Sequence, residues 1–295
     1  MTDTMRMEPR TSRRRTRSGS HGWWSILAST WRAARAHNMN IVAAGLAFYA
    51  FLAFVPLLAA LVLTYGLVAE PATIIGHVRA LTQLMPADAA MLVGDQLMSM
   101  SETAESQKGL GLALAILLSI YGAMRGASSL ITALNFVYDV EDGRGFVRTT
   151  FTSLALTIGA VCTLLLAVLA ISSLAYVEAL LPASHPYVHD AVRVGFWIGA
   201  ALAISLFVAV IYRFAPDREG AHWEWLTPGA IVVTLLWLGA TLGFGFYVSN
   251  FGNYNATYGS LGAVIVFLTW LYLSAYILLL GGELNAEVER RALGF

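Results

Sequence analysis

The sequence predicts an all-α polytopic membrane protein with six transmembrane helices and with both termini in the cytosol. Of its 295 residues, 58% are hydrophobic and 12% are charged, and the mean hydropathy is +0.67, which is typical of membrane proteins. No Asp, Glu, Lys, Arg or His lies between Glu224 and Glu283. A helix needs about 20 apolar residues to cross a bilayer, so this single run has room for two crossings and a turn.

Two regions of different composition divide the chain. Residues 1–30 are predicted to form a disordered, basic cytosolic tail, because the segment is polar and holds the cluster Arg13-Arg14-Arg15. We expect this tail to lie near anionic lipid headgroups, and nucleic-acid binding is the less favoured use of its arginines. Residues 31–290 are predicted to form the six-helix transmembrane domain.

The first crossing is predicted at residues 37–68, where the chain becomes continuously apolar at Ile41. Pro56 lies inside it and lacks a backbone N–H donor, so a kink is expected near Leu52. The kink has two interpretations. A bend that only serves packing is favoured, and Pro56 as a functional hinge is the alternative.

Residues 71–108 form a predominantly acidic segment, which is predicted to lie on the outer side. Apolar residues recur there at helical spacing, which predicts an amphipathic helix on the membrane or over the bundle, and a second is expected after Pro86. The apolar positions are Ile74, Ile75, Val78, Leu81 and Met85.

The second crossing is predicted within residues 109–138, where Arg125 is the single charged residue. In one interpretation, Arg125 reaches the cytoplasmic interface and residues 126–140 form an amphipathic helix after the crossing. In the other, the crossing continues deeper and Arg125 faces a polar cavity. The interface is favoured, because an unpaired Arg at mid-bilayer costs at least about 3 kcal/mol on insertion scales.

Four more crossings complete the domain, and the loops between them contain little that could bind a metal. His185 and His189 are separated by Pro186 and have no third ligand nearby, so no metal site is predicted. The only cysteine, Cys162, lies in an apolar segment, and no cofactor-binding motif is recognised. These crossings are predicted at residues 151–176, 194–212, 226–249 and 260–282.

Positive charge indicates the orientation. With six crossings, all 18 Lys and Arg residues except Arg79, Lys108 and Arg193 fall on the side of the two termini. Cytoplasmic segments of membrane proteins are enriched in Lys and Arg, so both termini are predicted to be cytosolic.

A set of polar residues on the predicted cytoplasmic side forms the candidate functional site. Arginine side chains there could bind an anionic headgroup or act in gating, with the carboxylates holding them in place. A ring of interfacial salt bridges that closes the bundle is the favoured alternative. The candidate residues are Arg125, Asn135, Glu141, Arg144, Glu283 and Asn285.

Two small-xxx-small patterns, Gly122 with Gly126 and Gly239 with Gly243, favour close helix packing. Packing inside the bundle is preferred to a dimer face, although a homo-oligomer is left open.

Several motifs, taken in their order and spacing, make the chain resemble the YihY/BrkB family of bacterial inner-membrane proteins, whose members have carried the name ribonuclease BN. The resemblance extends from about Trp31 to Glu289, with Ala53 in place of a Ser expected in many relatives. It implies a six-helix membrane protein. The motifs are Gly45-Leu-Ala-Phe-Tyr49 with Pro56, Ala133-Leu-Asn135 with Tyr138, Glu141 and Arg144, Pro228-Gly-Ala230 with Trp237, Tyr258-Gly-Ser-Leu-Gly262, Trp270, and Gly282-Glu-Leu-Asn285.

These observations lead to three functional hypotheses. The favoured one is a protein that transports or flips a lipid or another amphiphile, with membrane lipids as partners and an anionic amphiphile as substrate, because long walls with few charges suit acyl chains. The second is a non-transporting envelope scaffold. A ribonuclease is least favoured, because the predicted cytoplasmic acids are scattered among turns without a convergent metal-binding set or a His pair.

Overall fold

The computed structural model describes residues 22–66, 110–180, 186–218, 227–251 and 260–292, and these ranges contain seven α-helices and no strand. The all-α fold class is therefore confirmed across them. In chain order the helices are α1 (Trp23–Ala36), α2 (Met39–Gly66), α3 (Leu110–Val137), α4 (Phe146–Leu180), α5 (Pro186–Phe214), α6 (Pro228–Phe251) and α7 (Ser260–Ala292).

Six of these helices, α2 to α7, are long and apolar enough to cross a membrane, which confirms the predicted number of crossings. The shortest apolar stretch, Pro228–Val248, has 21 residues and a length of about 32 Å at 1.5 Å per residue, which matches a hydrocarbon core of about 30 Å. The amphipathic helices predicted at residues 71–108 and the turn at residues 252–259 lie outside the described residues.

Helix α1 corrects the prediction of a disordered tail over residues 1–30. The helix begins at Trp23, so residues 23–30 are helical, while residues 1–21 lie outside the described part of the chain. Thr30 and Ala34, four residues apart, are buried, and α1 packs against α7. The prediction extended the basic tail through residues 23–30, although this stretch contains no arginine and the two arginines of α1 come later, at Arg32 and Arg35.

Helix α3 runs without interruption from Leu110 to Val137. The amphipathic segment predicted at residues 126–140 is therefore helical as far as Val137, and it forms one continuous helix with the predicted second crossing. The candidate span Ala113–Val137 places Arg125 at its middle residue. A continuous helix is compatible with both interpretations of Arg125, at the interface or facing a polar cavity, and both stay predictions.

Two glycines of α3 allow close packing against α2, as predicted for the first small-xxx-small pattern. A Cβ atom at Gly122 would lie 2.8 Å from the Cβ of Pro56, and one at Gly126 would lie 2.7 Å from the Cβ of Ala53. Helix α2 continues through Pro56, whose ring fills the space beside Gly122. Its role as a hinge stays a prediction.

The second small-xxx-small pattern does not pack inside the bundle, in contrast to the prediction. Gly239 and Gly243 of α6 face open space within the described structure. Helix α6 instead approaches α7 through Gly229, where a Cβ atom would collide with the carbonyl oxygen of Gly281. The two patterns are equivalent in sequence, and only the neighbouring helices distinguish them.

Helix α7 is central, since it packs against α1, α2, α3 and α6. Aromatic residues in the apolar part of α7 pack against α2 and α6. Phe267 lies 4.6 Å from Phe54 of α2 between ring centroids, and Trp270 contacts Trp237 of α6 at 6.0 Å. The other half of α7 is polar, and it leads to the end of the bundle where most described charged residues meet.

Candidate functional site

One end of the bundle, here called the polar end, collects charged side chains from distant parts of the sequence. The α1–α2 turn, the ends of α3, α5 and α7, and the starts of α4 and α6 meet there. Asn38 and Asp139 adopt left-handed φ angles of 46° and 53°, which Asn and Asp tolerate better than most residues. These two turns bring His37 and Asp139 toward α7.

His37 lies between two carboxylates in a group here called the His37 cluster, which consists of His37, Asp139, Glu283 and Arg290. His37 Nδ1 is 3.0 Å from Glu283 Oε1, and His37 Nε2 is 3.2 Å from Asp139 Oδ1. Arg290 Nη1 donates to Asp139 Oδ2 at 3.3 Å and its Nη2 lies 3.8 Å from Glu283 Oε1. The cluster thus ties the α1–α2 turn, the end of α3 and α7 together.

Glu283 is the unusual member of the cluster, because its side chain is 0% exposed. Neither carboxylate oxygen accepts a geometrically good hydrogen bond from a described residue, and the close approach of His37 Nδ1 is poorly aligned. A buried carboxylate without hydrogen bonds depends on nearby positive charge. Glu283 therefore lies beside His37 and near the guanidinium of Arg290, whose positive charge offsets part of the cost of burial, without a directed hydrogen bond from a described residue.

Arg144 has a structural task at the end of α5. Its side chain is only 4% exposed and donates to the carbonyl oxygens of Ala215 at 2.8 Å and Phe214 at 3.4 Å, which the helix end leaves without amide partners. Asp142 accepts from Arg144 Nε at 2.9 Å. Partial burial raises the pKa of Asp142, but the hydrogen bonds from Arg144 outweigh it and hold that pKa below the usual value of 3.8.

Asn135 and Asn285 also connect chain segments. Asn135 Oδ1 accepts the backbone N–H of Asp217 at 2.8 Å, which fastens the end of α5 to α3. Asn285 Oδ1 accepts the N–H of Gly229 at 2.8 Å, and its Nδ2 donates to Thr227 Oγ1 at 2.9 Å. The first amides of a helix have no partner within the helix, so Asn285 caps α6 from α7.

A second ion pair closes the polar end between α5 and α7. Arg218 Nη1 donates to both carboxylate oxygens of Glu289 at 2.6 Å, and Arg218 Nη2 donates to the carbonyl oxygen of Tyr212. The guanidinium also lies 4.2 Å from the ring centroid of Tyr138. Burial raises the pKa of the Tyr138 hydroxyl well above its ordinary value, which Arg218 opposes in part.

Arg125 is separate from all of these residues. It lies on an exposed part of α3, 12 residues and about 18 Å along the helix from Val137. Its guanidinium Nη2 donates to the hydroxyl of Tyr121 at 3.2 Å, and its central carbon is 5.7 Å from that ring. No acidic residue of the described ranges pairs with it.

The structure thus divides the six predicted site residues. Asn135, Arg144, Glu283 and Asn285 meet at the polar end, as part of the network that closes the bundle. Glu141 is exposed there and makes no hydrogen bond or ion pair with the described residues, and Arg125 lies about 18 Å along α3 from Val137. Within the described ranges, no group of three or more His, Cys, Asp or Glu side chains is arranged to hold a metal ion.

Sequence reasoning missed His37, Asp139, Arg218 and Arg290. Their order along the chain carries no spacing signal, because His37 and Glu283 are brought together only by the packing of α1 and α2 on α7. One local signal existed: His37-Asn38 is a polar pair directly before the first apolar run, where a turn at the membrane surface is expected.

The comparisons with known proteins agree with this architecture. Residues 30–294 match the family described as Virulence factor BrkB. Over 264 residues the chain is 33% identical to the ribonuclease-like protein YfkH of Bacillus subtilis, covering 86% of this chain and 92% of that protein. A UPF0761 membrane protein of Tolumonas auensis is 33% identical over 81 residues, covering 28% of this chain and 26% of its own length. No solved structure matches the chain.

Proposed function

We propose that this chain, which belongs to the virulence factor BrkB family and is a multi-pass membrane protein, moves an anionic lipid or a similar anionic amphiphile between the two leaflets. The observation that carries the proposal is the position of Arg125. It is the middle residue of the span Ala113–Val137, it is exposed, and its only polar partner in the described structure is Tyr121.

An arginine in this position is costly, which argues for a use. An Arg at the centre of a membrane helix costs at least about 3 kcal/mol on insertion scales, and such residues usually pair with one another or face a polar path. Tyr121 is neutral and offers one hydroxyl and a ring face. Four of the five N–H donors of Arg125 are therefore available to an anion.

The surface around Arg125 suits a lipid. Six exposed residues of α3 recur at spacings of three, four or seven, so they form one stripe along the helix, next to the side on which Gly122 and Gly126 pack against α2. Tyr49 and Leu52 of α2 are exposed next to this stripe, because Gly126 packs beside Ala53 and the Tyr49 carbonyl oxygen. The stripe consists of Leu114, Leu118, Tyr121, Arg125, Thr132 and Phe136.

In this proposal the phosphate of a lipid moves along the stripe while its acyl chains stay in the surrounding bilayer. The hydrocarbon core opposes passage of the phosphate, because a charge loses its hydration there. At the midpoint of this passage, the guanidinium of Arg125 offsets the lost hydration through charge-assisted and bidentate hydrogen bonds. Tyr121 keeps the guanidinium beside the stripe by its hydroxyl and ring.

The test is lipid movement in reconstituted vesicles. Arg125→Gln should reduce the movement of a fluorescent phosphatidylglycerol at least tenfold relative to the wild type, and Arg125→Lys should retain part of it, since a lysine keeps the charge and loses the bidentate geometry. Arg148→Gln is the matched control, because it removes an exposed arginine near the polar end of α4. Dithionite quenching of the outer leaflet measures the rates.

The alternative hypothesis, a non-transporting scaffold, gives a different result in the same vesicles. Wild-type protein would then move phosphatidylglycerol no faster than protein-free vesicles, and Arg125→Gln would change nothing. That outcome rejects the proposal. The word ribonuclease belongs to the name of the relative YfkH. For this chain we infer a non-enzymatic role, supported by acids of the polar end that are paired with arginines, as in Asp142–Arg144 and Glu289–Arg218.

A further inference from the structure

Helix α1 presents aromatic side chains that the bundle leaves uncovered. Trp24 is 85% exposed, Trp31 is 53% exposed and Leu27 is 45% exposed. The three residues stand at positions i, i+3 and i+7, so they lie within one narrow arc of the helix. This arc, here called the tryptophan face, makes no ring contact with another described residue.

The orientation of the tryptophan face is fixed by contacts that α1 makes beside it, at Thr30 and Ala34, and opposite it, at Ser25 and Ser29. Thr30 and Ala34 are buried between α1 and the bundle. Arg291 of α7 donates to Ser25 Oγ at 2.7 Å and to Ser29 Oγ at 2.6 Å. Helix α1 is therefore fastened along one side, and the tryptophan face points outward as part of the folded protein.

The position of α1 relative to the first crossing places its end at the membrane surface. Only His37 and Asn38 separate α1 from α2, and the membrane span of α2 begins at Met39. Asn38, with its φ of 46°, redirects the chain between the two helices. A tryptophan ring is most stable at the boundary between headgroups and acyl chains, where its apolar body and its N–H both find suitable surroundings.

The charge of α1 is entirely positive. The helix contains Arg32 and Arg35, both exposed, and no acidic residue. Among the residues that the structure describes, Arg32 hydrogen-bonds within its own helix, to Ala28 O and Ser29 Oγ. The preceding sequence adds the cluster Arg13-Arg14-Arg15. Basic residues beside a membrane-facing aromatic surface favour anionic headgroups.

We propose that α1 is a membrane-surface anchor that inserts its tryptophan face into the leaflet at the polar end and binds anionic phospholipid headgroups through Arg32 and Arg35. A second copy of the chain is a poor occupant, because pairing two tryptophan faces would bring two purely cationic helices together. The anchor does not depend on the movement of lipids by Arg125, and it would also serve a protein that moves none.

The test measures the depth of spin labels in the full chain, reconstituted in vesicles that contain phosphatidylglycerol. Cys162→Ala provides a background without other cysteines, and Trp24→Cys and Trp31→Cys carry single labels on the tryptophan face. Ala36→Cys is the control, since Ala36 is exposed and lies about 120–140° around the helix from those two positions. Collision rates with oxygen and with a water-soluble nickel complex report the depth.

We expect the labels at positions 24 and 31 to collide at least threefold more with oxygen, relative to the nickel complex, than the label at position 36. Adding Arg32→Glu and Arg35→Glu should remove this difference in phosphatidylglycerol vesicles. Equal, water-like collision rates at all three positions would overturn the proposal. Strong spin–spin broadening at position 24 would also overturn it, because it would show that a second copy covers the face.

Discussion

Glu283 has a fully buried carboxylate at the junction of α1, α3 and α7, and its Oε1 lies 3.0 Å from His37 Nδ1 and 3.8 Å from Arg290 Nη2. A buried charge that loses its partner remains dehydrated, so single substitutions in such a group are expensive even where the whole group contributes little net stability. The same reasoning separates Glu283 from Glu289, whose side chain is 48% exposed and can return to water.

At the residue scale we predict that His37→Gln and Glu283→Gln each lower the free energy of unfolding by about 1–3 kcal/mol, because each leaves a buried polar partner unmatched. The double variant should lose less than the sum of the two, since the second substitution removes the group that the first left unmatched. Thermal unfolding in detergent measures the three changes as shifts in Tm.

Glu289→Gln is the control for this series. It removes an acidic partner of Arg218 at a half-exposed position, so its effect should stay below about 1 kcal/mol. Additive losses from His37→Gln and Glu283→Gln would mean that the two side chains are energetically independent, in spite of their 3.0 Å approach.

At the element scale, the α2–α3 pair depends on the absence of side chains at two positions of α3. The Cβ of Ala53 and the ring of Pro56 occupy the space that a side chain at Gly126 or Gly122 would need. Close backbone approach of this kind replaces the hydrophobic effect as the driving force for helix association in lipid. It also sets the side of α3 on which Arg125 is left exposed.

We predict that Gly126→Leu lowers the free energy of unfolding by about 1–3 kcal/mol, because overpacking forces α2 and α3 apart. Gly243→Leu, which makes the same exchange in the small-xxx-small pattern of α6, should change it by less than about 0.5 kcal/mol, since Gly243 faces open space. The Tm of the two variants in the same detergent gives the comparison. A larger loss in Gly243→Leu would show that this face of α6 is covered in the native assembly.

At the scale of the whole molecule, charge is sorted along the membrane normal. The described helix ends that meet at the polar end carry the His37 cluster, Arg144 and Arg218, while the middle of the bundle holds Arg125. Helix α1 and the end of α7 lie at the same end, as the bond from Arg291 to Ser25 shows. An even number of crossings places the two ends of the chain on the same side of the membrane, which agrees with the contact between α1 and the end of α7.

We predict that both termini lie in the cytosol, because the basic residues concentrate on their side of the membrane. Fusions after Phe295 should give fluorescent green fluorescent protein and inactive alkaline phosphatase, and fusions before Met1 should behave in the same way. Active phosphatase at either terminus would contradict the orientation, and it would also move the proposed α1 anchor to the outer leaflet.

The sequence alone determined that six helices are long and apolar enough to cross the membrane, because the transfer of each apolar run into lipid depends on that run and not on its neighbours. The motifs of the sequence also indicated the family to which the chain belongs. Helix α1 was missed, since its 14 residues are too few for a crossing and it directly follows a polar, basic segment.

Only the tertiary structure decided which polar residues act together. Asn135, Arg144, Glu283 and Asn285 were predicted as one site with Arg125, yet the first four close the polar end and Arg125 stands alone at mid-span. The physical reason is that helix packing across the bundle brings together partners such as His37 and Glu283, which are far apart in the sequence. That packing depends on the shape of facing surfaces, such as the notch at Gly126, which no local pattern records.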